Sequence, residues 1–187
     1  MSYGPWWHLR LARFWRSVRQ ADRAMDAYRA TLALDPGSVA ALNELAYLHG
    51  SRGEHARAAE YLERAAALVP GDAETQFNLG FVRERAGQHE AALRAFREAV
   101  RLKPSIDRAW FGMGLSLGAL GRHAEAVDAL QRAAKLQPLN PHALYALGMA
   151  YHALGQPDKL AQTIERLRKF DPKMTAQLEH DTGRGAA

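Results

Sequence analysis

The chain contains 187 residues, enough for about one domain with a buried core, and its 48% apolar and 24% charged residues are typical of a globular protein. The absence of cysteine excludes disulfide bonds, thiolate metal ligands and a cysteine nucleophile, and no apolar run reaches the ~18 residues of a membrane span, so a cytoplasmic location is the default expectation. The net charge of +5 is concentrated in the first 20 residues, where four arginines occur without an acidic residue; a nucleic-acid-binding protein usually spreads basic charge over a face, so this pattern argues against a nucleic-acid partner.

The dominant feature of the sequence is a 34-residue repeat. Proline recurs at this spacing from Pro36 to Pro172, and glycine recurs from Gly53 to Gly155. The register predicts a leader of residues 1–4, a repeat domain of residues 5–174, and a C-terminal segment of residues 175–187 that forms a short cap and a tail. The repeat domain consists of five units, residues 5–38, 39–72, 73–106, 107–140 and 141–174.

Each unit has the pattern of two helices. Apolar side chains recur at three- and four-residue steps on both sides of the central glycine, as they do on one face of a helix. Glycine suits the end of the first helix because it adopts a left-handed backbone at little cost, and proline closes the second helix. Ser38, Asp72 and Asn140 stand where a side-chain oxygen would accept hydrogen bonds from the free amides of the next helix.

These residues carry a family resemblance. The 34-residue period and its characteristic residues resemble the tetratricopeptide repeat (TPR), as in Leu79-Gly80, Gly87, Ala92, Phe96, Ala99 and Pro104. The resemblance covers residues 5–174 and departs from the family pattern mainly in the two end units, at Arg19 and Leu160 among others. It implies an all-α, right-handed α-solenoid of five helix-turn-helix units that presents a concave face to a protein partner and has no catalytic site.

The first helix combines an apolar stripe with a basic surface. Five apolar residues fall at the core-facing positions of a helix, namely Trp7, Leu11, Phe14, Trp15 and Val18. The residues that remain outside this stripe form what we call the N-terminal surface: Trp6, Leu9, Arg10, Arg13 and Arg16. Three alternatives are open for this surface, which are ordinary packing of a terminal unit, docking of a partner or of a second copy, and contact with an anionic membrane.

The first helices of the units also predict a binding groove. A helical wheel separates the core stripe of each first helix from an opposite face, and the resemblance implies that this face lines the concave groove. The predicted groove residues are Asn43, Tyr47, Phe77, Asn78, Phe81, Arg85, Arg108, Phe111, Tyr145 and Met149. Exposed apolar patches generally mark partner sites, so we expect Phe77 and Phe111 to receive apolar anchors of a bound segment. The alternative is that the rings pack against one another.

More specific sites find little support in the sequence. Asn78 and Arg108 match the two-carboxylate clamp of some TPR proteins, but Asn43, Tyr47 and Gly112 replace other residues of that clamp. His55, His89 and His123 recur at one repeat position, yet helices packed ~8–10 Å apart cannot bring two imidazoles within the ~2.0–2.1 Å of one zinc ion. We therefore expect no metal, no cofactor and no enzymatic activity.

The sequence thus predicts a non-catalytic adaptor that binds a peptide or partner segment in its groove. Two alternatives stay open: a self-associating scaffold, which would form a homo-oligomer, and a peripheral membrane or assembly factor that uses the N-terminal surface. Arginine greatly outnumbers lysine and alanine is abundant, which indicates a GC-rich genome, and we expect a bacterial origin. The sequence does not identify the partner.

Overall fold

The computed structural model describes residues 4–184, and within this range the chain forms eleven α-helices and no β-strand. The predicted all-α succession of helix pairs is confirmed, and a further helix follows the fifth pair. Most of the predicted leader and the end of the predicted tail lie outside the described residues. The helices are α1 (Pro5–Ser17), α2 (Ala21–Leu34), α3 (Val39–Ser51), α4 (His55–Leu68), α5 (Ala73–Arg85), α6 (His89–Leu102), α7 (Asp107–Ala119), α8 (His123–Leu136), α9 (Pro141–Ala153), α10 (Pro157–Arg168) and α11 (Pro172–Asp181).

Contacts among the helices divide the chain into two compact units. The first unit ends at Gly87 and contains α1 to α5, and the second begins at Gln88 and contains α6 to α11. The boundary falls inside the third predicted repeat, residues 73–106, whose two helices belong to different units. No helix in the described part of the chain is long and apolar enough to cross a membrane.

A left-handed residue ends the first helix of each pair. Gly53, Gly87, Gly121 and Gly155 have φ angles from 62° to 76°, as the repeat pattern predicts. Arg19 occupies the equivalent place after α1 with a φ of 58°. A residue with a Cβ atom pays roughly 1–2 kcal/mol for this conformation, so the first turn carries strain that the other four avoid.

Two of the three predicted helix caps are confirmed. The side chains of Asp72 and Asn140 accept hydrogen bonds from backbone amides two and three residues further on, at 3.1–3.3 Å, before α5 and α9. Ser38 precedes α3, but its hydroxyl caps no amide, so that prediction was wrong. The serine side chain is one bond shorter than that of Asp or Asn, and the backbone ψ of 88° at Ser38 is smaller than the 103° and 107° at the other two caps.

One hydrophobic cluster of the first unit is built mainly from α2 and α3. Tyr28 and Leu45 are fully buried there, and α1 adds one fully buried residue, Ala12. From the same face of α1, Leu9 and Trp15 pack partly buried against this cluster. The face of α1 that contributes to the core is therefore the one that includes Leu9 and Ala12.

The predicted core stripe of α1 is largely wrong. Trp7, Phe14 and Val18 are 40%, 54% and 45% exposed. The equivalent positions of α3, which include Ala41 and Leu45, are buried in the same cluster as residues of α2. In α3 this face packs in one cluster with the preceding helix, α2. No helix of the described chain precedes α1, so no described helix covers the corresponding face of α1.

In the second unit, three glycines allow helices to approach one another closely. A Cβ atom on Gly112 would lie 2.4 Å from the Cζ atom of Phe96, and one on Gly114 would lie 2.5 Å from the Cγ atom of Leu130. The same clash at Gly148 involves the fully buried Leu178, through which α11 packs on α9. Since real Cβ atoms essentially never approach another atom more closely than 3.0 Å, these positions exclude any larger residue without repacking.

Candidate partner-binding site

In the first unit, the predicted groove residues of α3 and α5 line one apolar pocket. Its volume is about 300 Å³, and its walls include Asn43, Tyr47, Asn78 and Phe81. Tyr47 is 65% exposed and Phe81 is 50% exposed, so both rings meet solvent rather than core. The floor of this pocket, which we call the α3–α5 pocket, consists of small and aliphatic residues: Ala46, Gly50, Leu62 and Val82.

The α3–α5 pocket also contains an unpaired hydrogen-bond acceptor. The side-chain oxygen Oδ1 of Asn43 is buried and has no hydrogen-bond partner among the described residues. Buried polar atoms in folded proteins almost always have a partner, because an unpaired one costs roughly 1–3 kcal/mol. If the Asn43 amide turns toward the pocket, a backbone N–H of a bound segment is a group that would satisfy this oxygen.

Phe77 does not belong to the exposed surface, which corrects its predicted position. Its side chain is 8% exposed, and its ring lies beside that of Phe81, with 6.4 Å between the centroids and 30° between the planes. Phe77 follows Gln76 and Thr75 in α5, and Thr75, at a core position, is 1% exposed. The long side chain of Phe77 turns from the groove edge into the helix interface, so Phe77 supports Phe81 instead of standing free.

The two predicted arginines lie outside the α3–α5 pocket. Arg85 is the last residue of α5 and is exposed, and Arg108 is exposed in the first turn of α7 in the second unit. Neither lines a pocket that contains predicted aromatic groove residues. Their predicted attraction for acidic groups therefore stays a prediction.

The second unit has its own apolar pocket between α7 and α9. This α7–α9 pocket has a volume of about 420 Å³ and contains the predicted residues Phe111, Tyr145 and Met149. Leu115 adds an exposed aliphatic side chain, and Gly118 lies in the wall. A Cβ atom on Gly118 would meet no atom within 4 Å, in contrast to the other two glycines of α7.

Tyr145 is fixed by a contact that the sequence did not predict. Its hydroxyl donates a hydrogen bond of 2.6 Å to Asp181 Oδ2, at the end of α11. Hydrogen bonds from the Gln177 amide, the Tyr145 hydroxyl and the His180 ring lower the pKa of the Asp181 carboxyl to about 2, while the hydrogen bond to Asp181 raises the pKa of Tyr145. The ring of Tyr145 is thus held in the pocket wall and its hydroxyl is already occupied.

The N-terminal surface is only partly available for binding. Trp6 is 62% exposed, and Arg10 and Arg13 are exposed. Leu9 packs against the core of the first unit, so its predicted place outside the packed face was wrong, because the face of α1 that contributes to the core includes Leu9 and Ala12. Arg16 donates hydrogen bonds of 2.6 and 2.7 Å to both carboxylate oxygens of Glu44 in α3.

Comparison with known families identifies the repeat. The tetratricopeptide repeat family matches residues 12–73, 77–133 and 111–174, which together make up most of the chain. The chain belongs to the TPR family. The resemblance carried by the 34-residue period is therefore confirmed, and so is the all-α TPR solenoid as the fold class.

Several solved TPR structures share this fold. A crystal structure of the MamA protein is 22% identical, with a TM-score of 0.85 over 95% of this chain and 94% of that one. MamA from Desulfovibrio magneticus RS-1, from residue 41 to its end, is 16% identical, with a TM-score of 0.85 over 92% and 97%. YrrB, described as "a TPR protein with an unusual peptide-binding site", is 20% identical, with a TM-score of 0.83 over 92% and 90%. No curated protein sequence matches the chain significantly.

The histidines of this TPR chain stand apart from one another. His55, His89 and His123 are each the first residue of a second helix, in α4, α6 and α8. Among residues 4–184, no group of three or more histidine, aspartate or glutamate side chains is arranged to hold a metal ion. His123 lines the apolar pocket between α7 and α9.

Proposed function

We propose that this TPR protein is a non-catalytic adaptor that binds an extended or helical segment of a partner protein through the α3–α5 pocket. Apolar side chains of the segment enter between Tyr47 and Phe81, and Asn43 and Asn78 hydrogen-bond its backbone. The α7–α9 pocket of the second unit, with Phe111, Tyr145 and Met149, is a second place of the same chemical kind. A cytoplasmic location and a bacterial origin stay predictions from the sequence.

The observation that carries this proposal is the combination of exposed rings with an unpaired acceptor. The rings of Tyr47 and Phe81 are largely exposed to water. Burying this apolar surface against a partner would stabilise the complex by roughly 25 cal/mol per Å² of surface. The unpaired Asn43 oxygen lies in the same pocket. A peptide offers both complements at once, apolar side chains for the rings and backbone N–H groups for the amide.

The test is a peptide selection followed by a comparison of variants. Peptides selected from a displayed random library on the wild-type protein are labelled, and their affinity is measured by fluorescence anisotropy. Tyr47→Ala combined with Phe81→Ala is expected to weaken binding by about 2 kcal/mol or more, the scale of an interface hot spot, which is about thirtyfold. Both side chains are largely exposed, so the melting temperature should change little.

Phe14→Ala is the matched control, because Phe14 is 54% exposed and Phe81 is 50% exposed, but Phe14 lies on α1 outside the pocket. We expect this variant to bind the selected peptides as the wild type does. Equal losses of peptide affinity in the double variant and in Phe14→Ala, or no loss in either variant, would contradict a site between Tyr47 and Phe81.

Self-association is the second candidate function, and one observation favours it. Trp6, Trp7, Phe14 and Val18 are exposed apolar side chains of α1. Light scattering over a range of concentrations would detect an oligomer, and Phe14→Ala should dissociate it while Phe81→Ala leaves it intact. Phe14→Ala is therefore the control for peptide binding and the test for self-association. Phe81→Ala is the control for self-association.

A further inference from the structure

A second concave site lies in the second unit, between α8, α9 and α10. Its volume is about 640 Å³, and it shares no residue with the α7–α9 pocket. The floor is apolar and buried, formed by Leu144, Leu147 and the ring of Tyr151. The rim carries the cationic side chains of Lys135, Lys159 and Arg166 and the amides of Gln131 and Gln162, and we call this site the α8–α10 pocket.

The α8–α10 pocket presents hydrogen-bond donors and no carboxylate. Arg166 is held at the rim because its Nη2 atom donates to two carbonyl oxygens, of Ala134 at 3.2 Å and Pro138 at 3.0 Å. The ammonium of Lys159 lies 5.6 Å from the centroid of the Tyr151 ring. Within residues 4–184, neither lysine of the rim nor Arg166 forms an ion pair, and none of the lining residues is acidic.

The hydroxyl of Tyr151 adds a directed donor. It accepts a hydrogen bond of 2.7 Å from Gln131 Nε2, so its own hydrogen remains for another acceptor. Among the described residues, the hydroxyl donates no hydrogen bond of its own. Three positive charges and an O–H donor therefore converge on an apolar floor, which is the chemistry that recognises an anion attached to an apolar stem.

The preceding repeat supplies an internal comparison. A pocket at the same place, 34 residues earlier, is lined by Arg97, Trp110, Glu125, Asp128 and Arg132. Its volume is about 230 Å³ and its charges balance, with Arg97 3.6 Å from Glu125. The indole N–H of Trp110 donates to the carbonyl of Pro104 at 2.9 Å, the repeat equivalent of the Pro138 carbonyl.

The two pockets differ at several equivalent positions, and three of these differences favour an anionic ligand in the later pocket, whereas Gln131 in place of Arg97 removes one positive charge from it. Lys159 stands where the earlier repeat has Glu125, and Gln162 stands where it has Asp128. Leu144 replaces Trp110, which opens the space. The fold tolerates the balanced and filled version one repeat away, so the packing of the repeat does not require an open cationic pocket.

We propose that the α8–α10 pocket binds an acidic segment of a partner protein through glutamate or aspartate carboxylates. The carboxylate meets Lys135, Lys159 and the Tyr151 hydroxyl, and the aliphatic part of the side chain covers Leu144 and Leu147. A free inorganic anion has the charge but no stem for this floor. The site is separate from the α3–α5 pocket and does not depend on the function proposed for that pocket.

The test uses a fluorescein-labelled hexaglutamate peptide and the full-length protein, with hexaglutamine as the uncharged reference. Anisotropy is recorded at low ionic strength and at about 0.15 M salt, where screening weakens exposed charge contacts. Lys159→Glu restores the acidic residue of the preceding repeat and is expected to weaken hexaglutamate binding about tenfold or more. Lys173→Glu is the matched control, because it changes the same charge in the first turn of a helix that also begins with proline, but lies outside the pocket.

Three results would overturn the proposal. They are no hexaglutamate binding at low ionic strength, equal weakening by Lys159→Glu and Lys173→Glu, and displacement of the peptide by inorganic phosphate at a matched concentration. Circular dichroism of both variants checks that the helices are retained, which we expect because glutamate is favourable in the first turn of a helix. Lys135→Gln provides a second variant in α8, and it should also weaken hexaglutamate binding relative to the control.

Discussion

Two glycines in α7, four residues apart, should respond in opposite directions to the same substitution. Gly114→Ala places a Cβ atom 2.5 Å from Leu130 Cγ, whereas Gly118→Ala places one with no atom within 4 Å. Both residues lie within α7, so each alanine gains the same helix propensity, roughly 0.5–1 kcal/mol over glycine. The sign of each effect is therefore decided by the space around the new methyl group.

The magnitudes follow from the two environments. At Gly118 nothing opposes the propensity gain, so alanine should stabilise the protein by about 0.5–1 kcal/mol. At Gly114 the new carbon overlaps Leu130 by about 1 Å relative to an ordinary carbon contact of ~3.5–4.0 Å, and overpacking of this kind costs about 1–3 kcal/mol. After the propensity gain is subtracted, the midpoints of these ranges give a net destabilisation of about 1 kcal/mol for Gly114→Ala, and the extremes give about 2.5 kcal/mol at most.

Thermal unfolding followed by circular dichroism distinguishes the two variants. For a chain of this size 1 kcal/mol shifts the melting temperature by about 2–4 °C, so the variants should differ by roughly 4–8 °C, with Gly118→Ala above the wild type and Gly114→Ala below it. Urea unfolding supplies an independent free energy. If both melting temperatures move in the same direction, the close approach of α7 and α8 at Gly114 is not as the structure describes it.

Two further predictions concern the ends of the chain. Arg19→Gly should stabilise the protein by about 1 kcal/mol, because it removes a left-handed non-glycine residue, while Arg10→Gly inside α1 should destabilise it by about the same amount; melting temperatures of both variants check this. The depressed pKa of Asp181, about 2 against an ordinary 3.8, means that its contribution to stability is present above pH 3.8 and is lost as the pH falls through about 2. Tyr145→Phe removes one of the bonds to this carboxylate, so its melting temperature should fall less steeply than that of the wild type between pH 4 and pH 2; parallel curves would show that the contact contributes nothing.

The repeat made much of the fold predictable from sequence. The glycines that end the first helices need a left-handed backbone, and the asparagine and aspartate caps use local hydrogen bonds, so both can be deduced from a few neighbouring residues. The prediction for α1 failed because it assumed that every first helix has a preceding helix to cover its outer stripe. Trp7 and Phe14 have the periodicity of core residues and lack the layer that would make them core.

The candidate site was predictable in part. Helical spacing placed Tyr47 and Phe81 on one exposed surface, and the structure brings them into one pocket. The same spacing placed Phe77 on this surface as well, but Phe77 lies near the edge of the helix face. A side chain at such an edge can point to solvent or into the core, and the packing of the neighbouring helices decides which; Phe77 is buried. The bond between Tyr145 and Asp181 spans 36 residues and has no signal in the local pattern.

The sequence does indicate the α8–α10 pocket, but only at positions where one repeat unit differs from its neighbours. The positions that the units share define the repeat, and these shared positions mostly explain how helices pack. A ligand site in one unit has to be sought among the positions where that unit departs from its neighbours without a packing reason. Lys159 and Leu144 meet this condition, since the preceding unit packs the same helices with Glu125 and Trp110 at those places. Gly112, where the preceding unit has Asn78, does not meet it, because its small size is explained by the close approach of Phe96, and the distinction between the two kinds of departure requires the structure.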